Sequence, residues 1–173
     1  MSPEDLYTHG TVKTTLVMVL GARVESLGTG DLFSGRTRVS CADADLSAEP
    51  DIVYVSDQAL ESGRVRLVAK SGSEPDRYVE FEGAPDLVGE IMSDYSATKD
   101  AQRLPPAYFA AGVTEYGLVD ARREPLVFII YRRGGERYEP AERDREGYQY
   151  SGVMRCWFRL DRSRNPRGRL KYH

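Results

Sequence analysis

Three carboxylates stand where apolar strands would normally exclude them. Asp51 opens the run PDIVYV, Asp86 opens PDLVGEIM, and Glu90 lies inside the second run. Burying an unpaired carboxylate in a strand interior is costly. Alternation along a strand puts Asp86, Val88 and Glu90 on one face. If that face points inward, Glu90 needs a cation, an arginine or lysine partner, or a raised pKa. Magnesium is one such cation, and it takes one or two carboxylates while keeping several waters. Two plainer readings stand beside this one. Glu90 can face solvent or pair with an arginine, and acids at strand starts, such as Asp51 and Asp86, commonly serve as turn residues.

Reach limits how these acids can combine. Four residues of straight strand span about 13 Å at roughly 3.3 Å each. Asp86 and Glu90 can therefore share an ion only if the strand bends, for which Gly89 is the obvious bulge residue. Otherwise Glu90 meets an acid from a neighbouring strand, and Asp51 is the natural candidate. Lys99 is either a solvated surface lysine or a group that orients a hydrolytic water and stabilises developing phosphate charge.

The elements that must hold these residues can be read from periodicity. From His9 to Leu27, apolar residues at Val12, Leu16, Leu20, Val24 and Leu27 fall on one helical face, with Thr8 as N-cap and Gly28 as C′ residue. Thr37–Cys41 and Ile52–Val55 are β-branched strand runs. Arg64–Ala69 and Tyr78–Phe81 flank the turn sequence SGSEPD and suggest a hairpin or long arm. Leu87–Met92 is a further strand. Pro105 and Pro106 are tolerated in a first helical turn, which starts a second helix near Pro105 and ends it at Gly112. Tyr116–Asp120, Leu126–Tyr131 and Tyr148–Leu160 read as strands, with a turn at Gly134-Gly135. Arg162–His173 reads as a loose polar tail. The order predicts an α/β (α+β) fold, a mixed sheet flanked by helices, with one domain over 1–161 and a tail over 162–173.

Composition narrows the class. The chain of 173 residues suits one core. No apolar run approaches the roughly 20 residues of a membrane span, and the start MSPEDLYTHG has neither the basic nor the apolar region of a secretory signal. Cys41 and Cys156 make neither a disulfide framework nor a zinc site and read as free thiols of a cytoplasmic protein. The net charge of −3 is unlike a protein coated in phosphate, yet an acidic metal site with local basic patches is compatible with it.

The stretch PDLVGEIMSDYSATKDAQRLPPAYFAAGVTEYGLVDAR resembles the hallmark region of the Uma family of restriction endonucleases, in the PD-(D/E)XK nuclease superfamily. Members show a PDLVVEVLSPS-like strand, an acidic-basic segment, a helix ending in AGV and an EYWLVD-like strand. EPDIVYVSD is similar to the family's earlier PD strand. The resemblance runs from about His9 to Tyr131. It implies a restriction-endonuclease-like fold and hydrolysis of DNA phosphodiester bonds with magnesium or manganese by an endonuclease, commonly a twofold dimer. Carried over, Asp51 and Asp86 match the two PD acids and Glu90 the acid of the (D/E)XK element, so all three are candidate metal ligands. The lysine place of that element is Met92, and Lys99 is the best match to a migrated lysine. A further lysine position of the family falls on Leu104, beside Arg103. The family's additional glutamate-bearing first strand has no counterpart here, and Gly117 stands where a tryptophan is common. These departures keep an alternative in view, a catalytically inactive scaffold or binding protein with the same fold.

Overall fold

In the computed structural model, residues 5–72, 75–94 and 100–173 are described. The first helix, α1 (Thr11–Leu27), follows a single π turn at Leu6–Gly10. The Asp5 side chain, rather than Thr8, caps the start by accepting from the amides of Tyr7 and Thr8 at 2.8 Å each. At the far end Gly28 adopts φ 59° and its N–H reaches Val24 O at 2.9 Å, the left-handed stop that glycine makes without a Cβ penalty.

Among the described residues, fourteen strands are distributed over four sheets. In chain order they are β1 (Gly30–Ser34), β2 (Arg38–Cys41), β3 (Leu46–Ala48), β4 (Ile52–Ser56), β5 (Val65–Ala69), β6 (Tyr78–Gly83), β7 (Leu87–Ile91), β8 (Glu115–Asp120), β9 (Val127–Arg133), β10 (Tyr138–Pro140), β11 (Gln149–Ser151), β12 (Cys156–Phe158), β13 (Arg162–Arg164) and β14 (Leu170–Tyr172). A short helix, α2 (Asp57–Glu61), follows β4, and α3 (Asp100–Ala111) precedes β8. The central six-stranded sheet has the order β1-β4-β7-β8-β9-β10, with β7 and β8 parallel and the other pairs antiparallel. A second sheet, β3-β2-β6-β5, contains the expected β5–β6 hairpin.

Alternation along β4 decides what each face of the central sheet buries. Ile52 and Tyr54 pack with Val24, Leu87 and Met154 beneath α1. Val53 and Val55 face the other way, into a core with Leu104 and Tyr108 of α3 and with Val39, Val65 and Phe81 of the second sheet. A third cluster joins Val12, Ile91, Val119, Leu160 and Tyr172. The mixed sheet with helices on both faces agrees with the expected fold class.

Two local expectations differ, and the strand β1 was not anticipated. The α3 helix starts at Asp100, so Pro105 and Pro106 lie inside it. An interior proline costs about 3 kcal/mol, and burial of Leu104 and Tyr108 on the core side offsets this. Strand β1 lacks alternating apolar residues, yet it pairs along its whole length with β4. The segment Arg162–His173 is a β13–β14 hairpin rather than a loose tail. Its Pro166 and Gly168 are turn residues. The Asn165 side chain accepts from the amides of Arg167 and Arg169 at 3.0 Å each, and Tyr172 is buried against the α1 side of the core.

Two glycines lie side by side on the α1 face, Gly89 of β7 and Gly117 of β8. A Cβ at Gly117 would meet nothing nearer than 3.8 Å, whereas one at Gly89 would come within 3.2 Å of Ile52 Cβ. Glycine inside a strand costs roughly 0.5–1 kcal/mol relative to alanine. Gly117→Ala is therefore expected to raise stability by about that amount in urea unfolding, while Gly89→Ala gains nothing or loses.

Candidate active site

The β4–β7 register brings two of the three acids together. Ile52 pairs with Gly89, Val53 with Val88 and Tyr54 with Leu87. One more antiparallel step sets Asp51 beside Glu90, and the Asp51 carboxylate reaches the adjoining residue directly, accepting from Ile91 N at 2.9 Å. The Asp51 side chain is nearly buried, 13% exposed, and one group from the π turn and one from the first turn of α1 close around it. Lys13 Nζ lies 2.7 Å from Oδ1 and His9 Nε2 3.4 Å from Oδ2. His9 and Lys13 are four residues apart, the spacing that places side chains on one helical face.

Burial pushes the Asp51 carboxyl up, but the combined hydrogen bonds from His9, Lys13 and the Ile91 amide, with the Lys13 charge, hold it below the usual carboxylate range.

Glu90 points to the α3 side of the sheet, where the Tyr108 hydroxyl donates to Oε1 at 2.7 Å. Burial, then the Glu90 charge, pushes the Tyr108 hydroxyl well above its ordinary pKa, and the same two causes raise Tyr116. Both phenols thus stay protonated beside a carboxylate. The Arg103 charge acts on Tyr108 in the opposite direction, which brings a cation to this corner.

Asp86 takes no part in the pair. Strand β7 runs through Gly89 in unbroken register with both neighbours, so the bulge that would bend Asp86 toward Glu90 is absent. Asp86 sits at the opposite end of β4. It accepts from Ser56 N at 2.8 Å and forms an ion pair with Arg64, whose other terminal nitrogen donates to Ala84 O at 2.7 Å. Of the three candidate acids, Asp51 and Glu90 thus stand on neighbouring strands, while Asp86 is held by Arg64 and the Ser56 amide. No group of three or more histidine, cysteine, aspartate or glutamate side chains suited to a metal occurs among the described residues. Lys99 lies outside the described residues. The contributions of His9, Lys13 and Tyr108 were not assigned from sequence, although the His9–Lys13 spacing is visible there.

The arginines of β9 and those at the start of β5 are placed unequally. Arg64 is committed to Asp86, and Arg66 lies 3.0 Å from Glu82. Arg133 stacks 3.9 Å from the Phe109 ring centroid and donates to Phe109 O at 2.5 Å. Arg132 approaches the Tyr150 ring more loosely, at 6.0 Å.

The sequence profile of Uma2, described as "Putative restriction endonuclease", matches residues 1–161. The chain belongs to the Uma2 family. No curated protein matches it. Among solved structures, it is similar to one titled as a putative nuclease belonging to DUF820 from Anabaena variabilis ATCC 29413, determined at 1.96 Å, with a TM-score of 0.64 and 18% identity. That likeness covers 90% of this chain and 76% of the other, and it shows a shared fold. No helix among the described residues is long and apolar enough to cross a membrane. In this Uma2 chain, the fold brings Asp51 and Glu90, two of the three acids singled out in the sequence, to neighbouring strand positions.

A carboxyl whose pKa is lowered on folding adds stability that is present above its unfolded value, 3.8, and lost as pH falls through the lower folded value. Lys13→Met leaves Asp51 without its ammonium partner. It is expected to cost about 1–3 kcal/mol at pH 7. The difference from wild type should shrink below pH 3.8, as followed by urea unfolding across a pH series.

Proposed function

We propose that the protein is a divalent-metal-dependent endonuclease that hydrolyses DNA phosphodiester bonds, with Asp51 and Glu90 as the metal-binding pair. The observation that carries this reading is the juxtaposition of those two acids at one end of the β4–β7 ladder, in a chain of the Uma2 family. Two carboxylates suit Mg2+ or Mn2+ that keeps several waters, since magnesium is usually held by one or two carboxylates. A third acid is not required, and Asp86 is assigned a structural role with Arg64.

The bound ion would lower the pKa of a water and offset charge on the scissile phosphate. The chain's own residues do the positioning. The Ile91 amide and His9 hold one Asp51 oxygen, and Tyr108 fixes Glu90 through Oε1. Lys13 neutralises Asp51 in this structure, and it would be free to meet a phosphate oxygen if an ion took its place. Arg103, exposed on α3, and Lys99 are the candidates to assist the attacking water or the phosphate. We place the protein in the cytoplasm as a homodimer, because a twofold enzyme suits a twofold duplex.

A specific observation favours a second reading, a scaffold or binding protein that keeps the fold without catalysis. Lys13 already occupies one Asp51 oxygen at 2.7 Å, and the family's helix lysine position holds Leu104, which is buried. Plasmid cleavage separates the two. Wild type with Mg2+ or Mn2+ is expected to nick and linearise supercoiled DNA. Asp51→Ala and Glu90→Ala should each lose at least about 100-fold, since metal stabilisation of the transition state is worth several kcal/mol. Asp86→Asn should keep cutting. Absence of metal-dependent cleavage by pure wild type would establish the scaffold reading instead. Sedimentation velocity is expected to show a dimer at micromolar concentration.

A further inference from the structure

An aromatic cleft opens beside Glu90, and nothing in the proposed hydrolysis uses it. Pro105, Pro106 and Phe109 of α3 form one wall, and Tyr116, Tyr131 and Tyr138 of the sheet form the other, around about 350 Å³. The tyrosines form a stack. Tyr116 lies 5.7 Å from Tyr131 at 23° and 5.9 Å from Tyr138 at 29° between planes. The Tyr138 hydroxyl is turned away to Val113 O at 2.7 Å, so its ring rather than its polar end lines the cleft.

The register fixes how far this cleft lies from the carboxylates. Leu118, in the cleft floor, is the direct β8 partner of Glu90. Tyr116 is two residues earlier on the same face of β8, and Tyr131 is its partner across β9. Strands lie about 4.8 Å apart, so Leu118 lies about one strand spacing from Glu90, and Tyr131, the partly exposed ring on β9, about two. Arg137 stands at the rim with Glu136, and the Arg103 charge reaches Tyr108 from the helix above.

Flat aromatic and proline walls, a nearby cation and an adjacent phosphodiester site match one ligand chemistry. A base within a duplex is stacked on both sides and cannot enter a concave cleft, whereas an unpaired base offers its π-face to tyrosine. We infer that this cleft holds an unpaired DNA base next to the scissile phosphate, so that the enzyme acts on single-stranded or locally opened DNA. The inference rests on the nuclease reading for its substrate class. It adds a preference that the carboxylate pair alone does not give: supercoiled plasmid, which opens locally, is cut faster than the same DNA relaxed.

The test measures binding without cleavage, in Ca2+ or EDTA at low salt. A single-stranded 12-mer carrying 2-aminopurine, and its duplex form, are titrated with full-length protein. Wild type is expected to bind the single strand at least about fivefold more tightly than the duplex and to quench the 2-aminopurine fluorescence by stacking. Tyr131→Phe keeps the ring and should retain both properties. Tyr131→Ala should weaken single-strand binding roughly tenfold with little effect on duplex. Glu90→Ala should keep the quench while losing cleavage. Equal affinity for single strand and duplex, or no quench with wild type, overturns the inference without reference to any variant's folding. Quench and single-strand preference without metal-dependent cleavage would uphold the cleft and remove only the hydrolytic assignment.

Discussion

The site depends on keeping the Asp51 carboxylate ionised at the end of a buried strand pair. A carboxylate removed from water is stable as an anion only when hydrogen bonds and opposite charge replace its hydration. Asp51 receives both, from an amide of the neighbouring strand, from His9 of the π turn and from Lys13 of α1. The helix that covers one face of the sheet thus also satisfies the acid at its edge. Any account of ion or phosphate binding must begin from this arrangement, because an incoming cation competes with an ammonium already in place.

The three acids show how one residue type takes different roles through its surroundings. Asp86 is tied to Arg64 and to the Ser56 amide, so it locks the start of β7 to the end of β4. Glu90 has a protonated phenol beside it and lies near a cleft of tyrosines. A further buried acid, Glu115, accepts from the Ser151 hydroxyl at 2.5 Å and the Gly152 amide at 2.7 Å, which fastens the β11–β12 turn to β8. At the Asp51–Glu90 corner two acids face each other across neighbouring strands.

The two faces of the central sheet divide their work. The α1 face is an apolar core, closed by the β11–β12 turn at Met154 and by Tyr172 of the last hairpin. The α3 face carries Glu90, Tyr108 and the tyrosine stack, where polar groups are held in fixed positions by packed rings. Parallel pairing of β7 with β8 connects the acid to that aromatic surface, because it sets Leu118 against Glu90 and leaves Tyr116 on the same side. Chemistry and recognition can therefore share one rigid floor.

The mixed α/β class, the amphipathic first helix with its glycine stop and most strands were legible in the sequence, which also marked Asp51, Asp86 and Glu90 as acids set in apolar runs. Each of these has a local cause: period, turn chemistry, or a charge placed in an apolar run. Tertiary structure alone decided the partners. Whether Asp86 joined the pair depended on a strand staying straight through Gly89. Whether Arg162–His173 was a tail depended on Tyr172 finding a pocket, and whether Asp51 was neutralised depended on Lys13, 38 positions away in the chain. Such outcomes are set by register and packing between distant segments, and no local pattern encodes them.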